Sequence, residues 1–164
     1  MRRRVGRLLG TSPPLRWAAR LMVRLLAPRH YVGAVGAVFN ESGQVLLVEH
    51  CLRTDYPWGL PGGWIERGEN PRETVRREIE EELGLAVDVR QLVLTGLVGR
   101  VRTSTHPPHL GLAFYGRVRS GQIRLSREVL SVEWVDPHAL QRALAPFQRE
   151  AIELATRAFA QEAC

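Results

Sequence analysis

Residues 63–85 read GWIERGENPRETVRREIEEELGL, and that stretch anchors the fold. Glu78, Glu80, Glu81 and Glu82 crowd into little more than one helical turn. Like charges at i,i+4 destabilise a helix by roughly 0.2–0.5 kcal/mol per pair. The flanks nevertheless signal a helix. Asn70 is a good N-cap, Pro71 suits the first helical position, and Glu73 sits at N3 to complete a capping box. Gly84 suits the position just past the last turn, where a left-handed residue ends a helix. The spacing predicts a helix over 71–83. At about 100° per residue, Glu78, Glu81 and Glu82 share an arc of ~100°. Val75, Ile79 and Leu83 form the adjoining apolar stripe, while Glu73 and Glu80 face the other way. The three carboxylates therefore wall a cleft beside the core.

Carboxylates clustered next to a core require neutralisation. Arginines supply one route: Arg77 reaches its Glu neighbours, and Arg72 and Arg76 serve the outer side. A hard divalent cation is the other, because converging carboxylate oxygens suit Mg²⁺ or Mn²⁺. Mg²⁺ commonly links protein carboxylates to substrate phosphates, so the helix points to metal-assisted phosphate chemistry.

Strand and helix patterns alternate on either side. Residues 31–39 and 44–49 read as a hairpin across the turn Asn40–Gly43. A loop rich in Pro, Gly and aromatics, 51–63, leads toward the helix. Strands are expected over 87–101 with breaks near Gly96 and Gly99, over 110–118 before a Ser120-Gly121 turn, and over 129–135. Helices are expected over 137–144 and 147–160. The class is mixed α/β, with one domain over 30–164. Residues 1–29 read as a basic helical extension. Within it Leu15, Ala18, Ala19, Met22, Leu25 and Leu26 repeat at helical spacing, Arg16, Arg20 and Arg24 form a separate stripe, and Pro28 ends the pattern.

The chain has 164 residues, a formal net charge of +6 and no lysine. Its first 30 residues hold eight arginines and no Asp or Glu, which leaves the other 134 with a net −2. The basicity therefore belongs to the extension. Packing on the domain, or on the partner subunit of a homodimer, is one expectation for it. A cationic amphipathic helix on a membrane surface or on RNA is the other. Cys51 and Cys164 make no disulfide framework, so a reducing, cytoplasmic setting is expected. No apolar run approaches the ~18 residues of a membrane span. Pro13, Pro14 and the arginines interrupt any secretory apolar segment, whereas an Arg-rich, acid-free start leaves organellar targeting as the alternative.

The stretch from Gly63 to Leu85 resembles the Nudix box, G-x5-E-x7-R-E-U-x-E-E-x-G-U with U aliphatic. It matches at every specified position: Gly63, Glu69, Arg77, Glu78, Ile79, Glu81, Glu82, Gly84 and Leu85. Seven of these are fixed residue types, so chance agreement at one place is on the order of 10⁻⁹. WGLPG, Trp58 to Gly62, is similar to the usual lead-in. The resemblance implies a Nudix-like α/β/α sandwich with a mixed sheet. It also implies hydrolysis of a nucleoside diphosphate linked to another moiety, by in-line attack of a metal-activated water on a pyrophosphate phosphorus. Carried over by position, Glu78, Glu82 and the Gly63 carbonyl would hold Mg²⁺ (or Mn²⁺). Glu81 would be a further ligand or a water-activating group. Arg77 would orient the carboxylates and Glu69 would support Arg77.

Outside the box, Glu128 is the candidate general base. Arg53 and Arg100, with Arg102, are candidates to grip phosphates of a small nucleotide. Trp58 and Tyr56 either stack on a base or support the loop. Glu133 is expected to point outward. His106 and His109 read as loop histidines, and nothing beside Cys51 argues for a nucleophile. Two alternatives stay open: a pyrophosphohydrolase of RNA 5′ ends, and a non-catalytic nucleotide sensor on the same fold. Neither the downstream proline of similar ADP-ribose enzymes nor the downstream tyrosine of similar dinucleoside polyphosphate enzymes is present. Arg100, Val101, Arg102 and Thr103 fill those places.

Overall fold

Alternate side chains of the central strands face opposite sides of one sheet, and a helix covers each side. The computed structural model describes residues 13–27, 30–99 and 108–162. The chain divides between His30 and Tyr31. Before that point lies α1 (Pro13–Leu26), which has no buried residue. After it come β1 (Val32–Phe39), β2 (Val45–His50), β3 (Trp58–Gly59), β4 (Gly62–Trp64), α2 (Pro71–Leu83), β5 (Leu85–Val98), β6 (His109–Gly121), β7 (Val129–Val135) and α3 (Pro146–Glu162).

The strands order as β3-β2-β1-β6-β5, with β4 also pairing β1 and β7 also pairing β2. β1 runs parallel to β6, and the other pairings are antiparallel. The period of two sorts the core. Ala34 and Val38 of β1, Leu46 and Val48 of β2, and Phe114 of β6 join Val75, Ile79 and Leu83 of α2. Ala37 and Phe39, Val45 and Leu47, and Ala113 and Tyr115 from the same strands join Ala151, Ile152, Ala155 and Ala158 of α3. The result is the α/β/α sandwich. Fully burying a Val, Leu or Ile side chain contributes about 1.5–3 kcal/mol, so each helix is held chiefly by its stripe.

Four local expectations change. The 51–63 loop contains two short strands: β3 extends β2, and β4 pairs with β1 through Ala34–Gly63 and Val35–Gly62. The 137–144 segment forms no helix. Asp136 closes one turn through its carbonyl to Ala139 N and its carboxylate to His138 N, and the turn is not continued. Leu144 is buried and Leu140 packs beside it. Arg142 turns aside to Glu133 and lies over the Trp58 ring. Tertiary anchoring here overrides helical periodicity. Finally, β5 runs unbroken through Gly96, and its irregularities fall earlier, between Ala86 and Leu94. Gly96 pairs with Gly111, where a side-chain carbon would crowd the Phe147 ring at 2.9 Å; at Gly96 one would only touch that ring. Gly111 makes room for an aromatic ring of α3, and Gly96 does not interrupt the strand. β6 likewise continues through Ser120 and Gly121, which pair with Ala86 and Leu85.

Candidate active site

α2 is built as its termini require. Asn70 Oδ1 accepts from Arg72 N at 3.0 Å, and Gly84 closes the helix in the left-handed region at φ 69°, its N–H donating to Glu80 O. One expected detail differs: Glu73 pairs with Arg76 and does not complete the capping box. Thr74 Oγ1, from the next position, donates instead to Glu69 at 2.7 Å.

Helix angle then grades the three carboxylates by depth. Val75, Ile79 and Leu83 are fully buried. Glu82, nearest that stripe, has a side chain only 8% exposed, against 18% for Glu78 and 61% for Glu81. Glu80 points to solvent.

Arg77 is the hub of this surface. Its Nε lies 2.9 Å from Glu69 Oε1, and its Nη1 lies 3.0 Å from Glu78 Oε1 and 3.2 Å from Glu81 Oε2. Its other terminal nitrogen reaches Glu69 Oε2 and the Trp64 carbonyl. Glu69 also accepts from Glu66 N and Thr74 Oγ1. Arg77, Glu66 and Thr74 together hold its carboxyl down at about 2. Hydrogen bonding and charge from Glu69 and Glu78 push the Arg77 guanidinium upward despite partial burial. Both groups are locked in their charged forms.

Glu82 is the opposite case. Burial above all, then the Glu78 charge, raises its carboxyl to about 7; Arg53 and the Gly62 amide oppose that, and Glu128 adds to it. One of its oxygens, Oε2, is buried with no hydrogen-bond partner among the described residues. Burial also raises Glu78, against the pull of Arg77. Two adjacent carboxylates are thus held in a place that favours neither charge.

The strands bring further groups to Glu82. His50 Nε2 is 3.7 Å from Glu82 Oε1. His50 was not singled out from sequence, although its signal was present: Leu46 and Val48 face α2, and His50 continues that alternation. Arg53 lowers Glu82 electrostatically, while burial lowers Arg53 itself; its buried Nη1 has no hydrogen-bond partner among the described residues. Glu128 is an exposed turn residue whose carbonyl accepts from Cys51 N at 3.0 Å. Gly63 lies against Glu78 so closely that a side-chain carbon there would collide with its carboxylate.

The remaining candidates lie apart from this group or serve other ends. Trp58 packs on the α3-side core under Arg142, and Tyr56 is exposed. His109 meets the Trp64 ring edge-on, with centroids 4.7 Å apart. Glu133 points outward to Arg142, and Cys51 is exposed. Arg100, Arg102 and His106 lie outside the described residues.

The donor set fits a hard divalent cation. It offers a buried carboxylate oxygen without a partner, a second carboxylate beside it, and a glycine main chain left bare where that carboxylate rests. Among the described residues, no three His, Cys, Asp or Glu are already gathered as a metal-binding set. Arg77 instead holds Glu78 and Glu81.

Comparison with known proteins agrees with the geometry. The NUDIX domain family model matches residues 29–155, and the chain belongs to the Nudix family of hydrolases. A MutT-like protein of Streptomyces ambofaciens is 33% identical over 118 residues, covering 72% of this chain and 71% of that protein. A CTP pyrophosphohydrolase of Escherichia coli is 29% identical over 121 residues, covering 70% of this chain and 84% of the other. Among solved structures, a MutT Nudix hydrolase from Burkholderia pseudomallei superposes with a TM-score of 0.66 at 25% identity, covering 77% of this chain and 98% of that one.

Proposed function

We propose that the protein hydrolyses the pyrophosphate linkage of a small nucleoside diphosphate derivative, with Mg²⁺ or Mn²⁺ held by Glu78, Glu82, Glu81 and the Gly63 carbonyl. The observation that carries this is Glu82, a carboxylate buried with one oxygen unpartnered beside a second carboxylate. Such a group is costly to ionise unless a cation or proton joins it. When bound, the cation supplies charge neutralisation of the phosphate oxygens and a lowered pKa for water.

The chain's own groups do the rest. Arg77, fixed by Glu69, sets the directions of Glu78 and Glu81. Arg53 places a cation beside the acidic wall, suited to a phosphate oxygen that would otherwise meet only carboxylates. Glu128 is close enough to act on Glu82 electrostatically, and it lies on an exposed turn from which it can accept a proton from attacking water. Without a cation, the anionic substrate and the acidic helix would repel each other.

A panel of nucleoside triphosphates and nucleoside diphosphate derivatives, assayed for phosphate or pyrophosphate release with Mg²⁺ and with Mn²⁺, tests this. Turnover of at least one substrate, abolished by EDTA and restored by excess metal, is expected. Turnover that persists in EDTA, or none across the panel, overturns the proposal.

A further inference from the structure

α1 is 14 residues long, PPLRWAARLMVRLL, and none of them is buried. Taking about 100° per residue, Arg16, Arg20 and Arg24 fall within an arc of ~80°. The apolar residues Trp17, Leu21, Leu25, Met22, Leu15 and Leu26 sweep ~180° of the remainder. A helix packed on a protein core usually presents an apolar stripe little wider than about 100° and keeps a broad polar back. Here the proportions are reversed. The only polar residues of the narrow sector are arginines, with Pro13 among them and Val23 at its far edge, and the apolar side is exposed: Trp17 is 67% exposed, Leu25 70% and Leu26 73%.

The geometry points to an anionic lipid bilayer as the occupant of this face, with α1 lying in the plane of the membrane surface. Three features favour that surface. Acyl chains accept a wide apolar sector from below, while arginine stems extend along it and return their charges to lipid phosphates. Trp17 stands next to Arg24 on the wheel, at the apolar–polar boundary, where an amphipathic aromatic ring belongs. Charge is complementary as well, since the first 30 residues carry eight arginines and no acid, against a net −2 for the rest. α1 is about 21 Å long at 1.5 Å per residue, too short to cross a hydrocarbon core of ~30 Å. No described helix is long and apolar enough to span a membrane. α1 therefore lies on the surface and does not cross it.

Cosedimentation of the full chain with phosphatidylcholine vesicles, and with vesicles that also contain phosphatidylglycerol, tests this. Binding is expected only with phosphatidylglycerol present, and it should fall as salt rises. The triple variant R16Q/R20Q/R24Q should bind on the order of 100-fold more weakly. The variant L21E/L25E should lose binding although its arginines remain. The thermal midpoint of the hydrolase domain, unchanged in both, shows that folding is intact. Failure of the full chain to sediment with the anionic vesicles overturns the proposal, as does binding that survives both variants. A dimer in vesicle-free solution that L21E/L25E dissociates assigns the apolar face to a second copy and overturns it too. Single-stranded RNA bound as tightly as the vesicles, with loss in the arginine variant and none in L21E/L25E, overturns it in favour of a polyanion.

Discussion

α2 and α3 cover opposite faces of the same sheet, and only α2 carries charge inward. α3 buries Ala151, Ile152, Ala155 and Ala158. α2 buries Val75, Ile79 and Leu83 in the same manner, then adds Thr74 and Glu82. The buried polar and charged side chains among the described residues, His50, Thr74 and Glu82, all belong to the α2 side. The sheet therefore needs no carboxylate to hold a helix. Glu82 opposes stability where it sits, as a carboxylate in the proposed metal site would.

The comparison can be broken at its strongest point by Glu82→Gln. Removing one preorganised charged group from a reaction centre typically costs about 10²–10³ in rate. Steady-state kinetics with saturating Mg²⁺ should show a loss of that order, while thermal melts in EDTA at pH 8 show equal or greater stability. Full turnover, or a destabilised variant, would mean that Glu82 is structural.

Ile152→Ala on the opposite face should do the reverse. A buried Ile cut to Ala costs about 2–5 kcal/mol. Denaturant titration should register that loss, with kcat of the folded fraction unchanged. A marked fall in kcat at native denaturant concentration would show that the two faces are not independent.

pH sharpens the same contrast. The folded chain holds the Glu82 proton up to about 7, above an ordinary glutamate. The folded state then binds more protons than the unfolded state between about pH 4.5 and 7, so metal-free stability falls as pH rises through that window. The loss attributable to Glu82 is on the order of 3 kcal/mol, complete above about pH 7 and absent in Glu82→Gln. Glu69 acts in a separate window: its carboxyl, held at about 2, contributes stability that disappears as pH falls toward that value. Melting temperatures of the chelated protein between pH 5 and pH 8 separate the two. A flat profile, or one that rises with pH in both proteins, contradicts the assignment.

Glu80→Gln should have the smallest effect. Its side chain faces solvent on the same helix, so stability should move by less than about 0.5 kcal/mol and turnover by less than twofold. A larger change in turnover would extend the working surface around the helix.

Most of α2 was legible in sequence because its determinants are local. Asn70, Pro71 and Gly84 mark the ends, and the apolar stripe fixes which glutamates turn inward. The sheet's two faces follow from alternation in β1, β2 and β6. The surroundings of Glu82 were harder to read: the alternation Leu46, Val48, His50 was visible in β2, but nothing local says that Glu82, 32 residues on, would face it. Residues 137–144 failed in the other direction: Leu140 and Leu144 are spaced like a helix, yet they anchor an irregular segment, and the turn capped by Asp136 is not continued. Gly96 was misjudged because a glycine in a strand is as compatible with a break as with continued pairing, and only its partner across the sheet, Gly111, decides between them.

The hydrogen bond from Cys51 N to Glu128 O, at 3.0 Å, has a mechanical consequence. Arg53 lies two residues beyond Cys51, and the proposed proton acceptor is Glu128 itself, so one main-chain tether couples the segment that would grip phosphate to the segment that would receive the proton. On the proposed roles, seating the substrate and aiming the base would then be linked, and a lengthened 51–56 loop would loosen that link without touching any carboxylate.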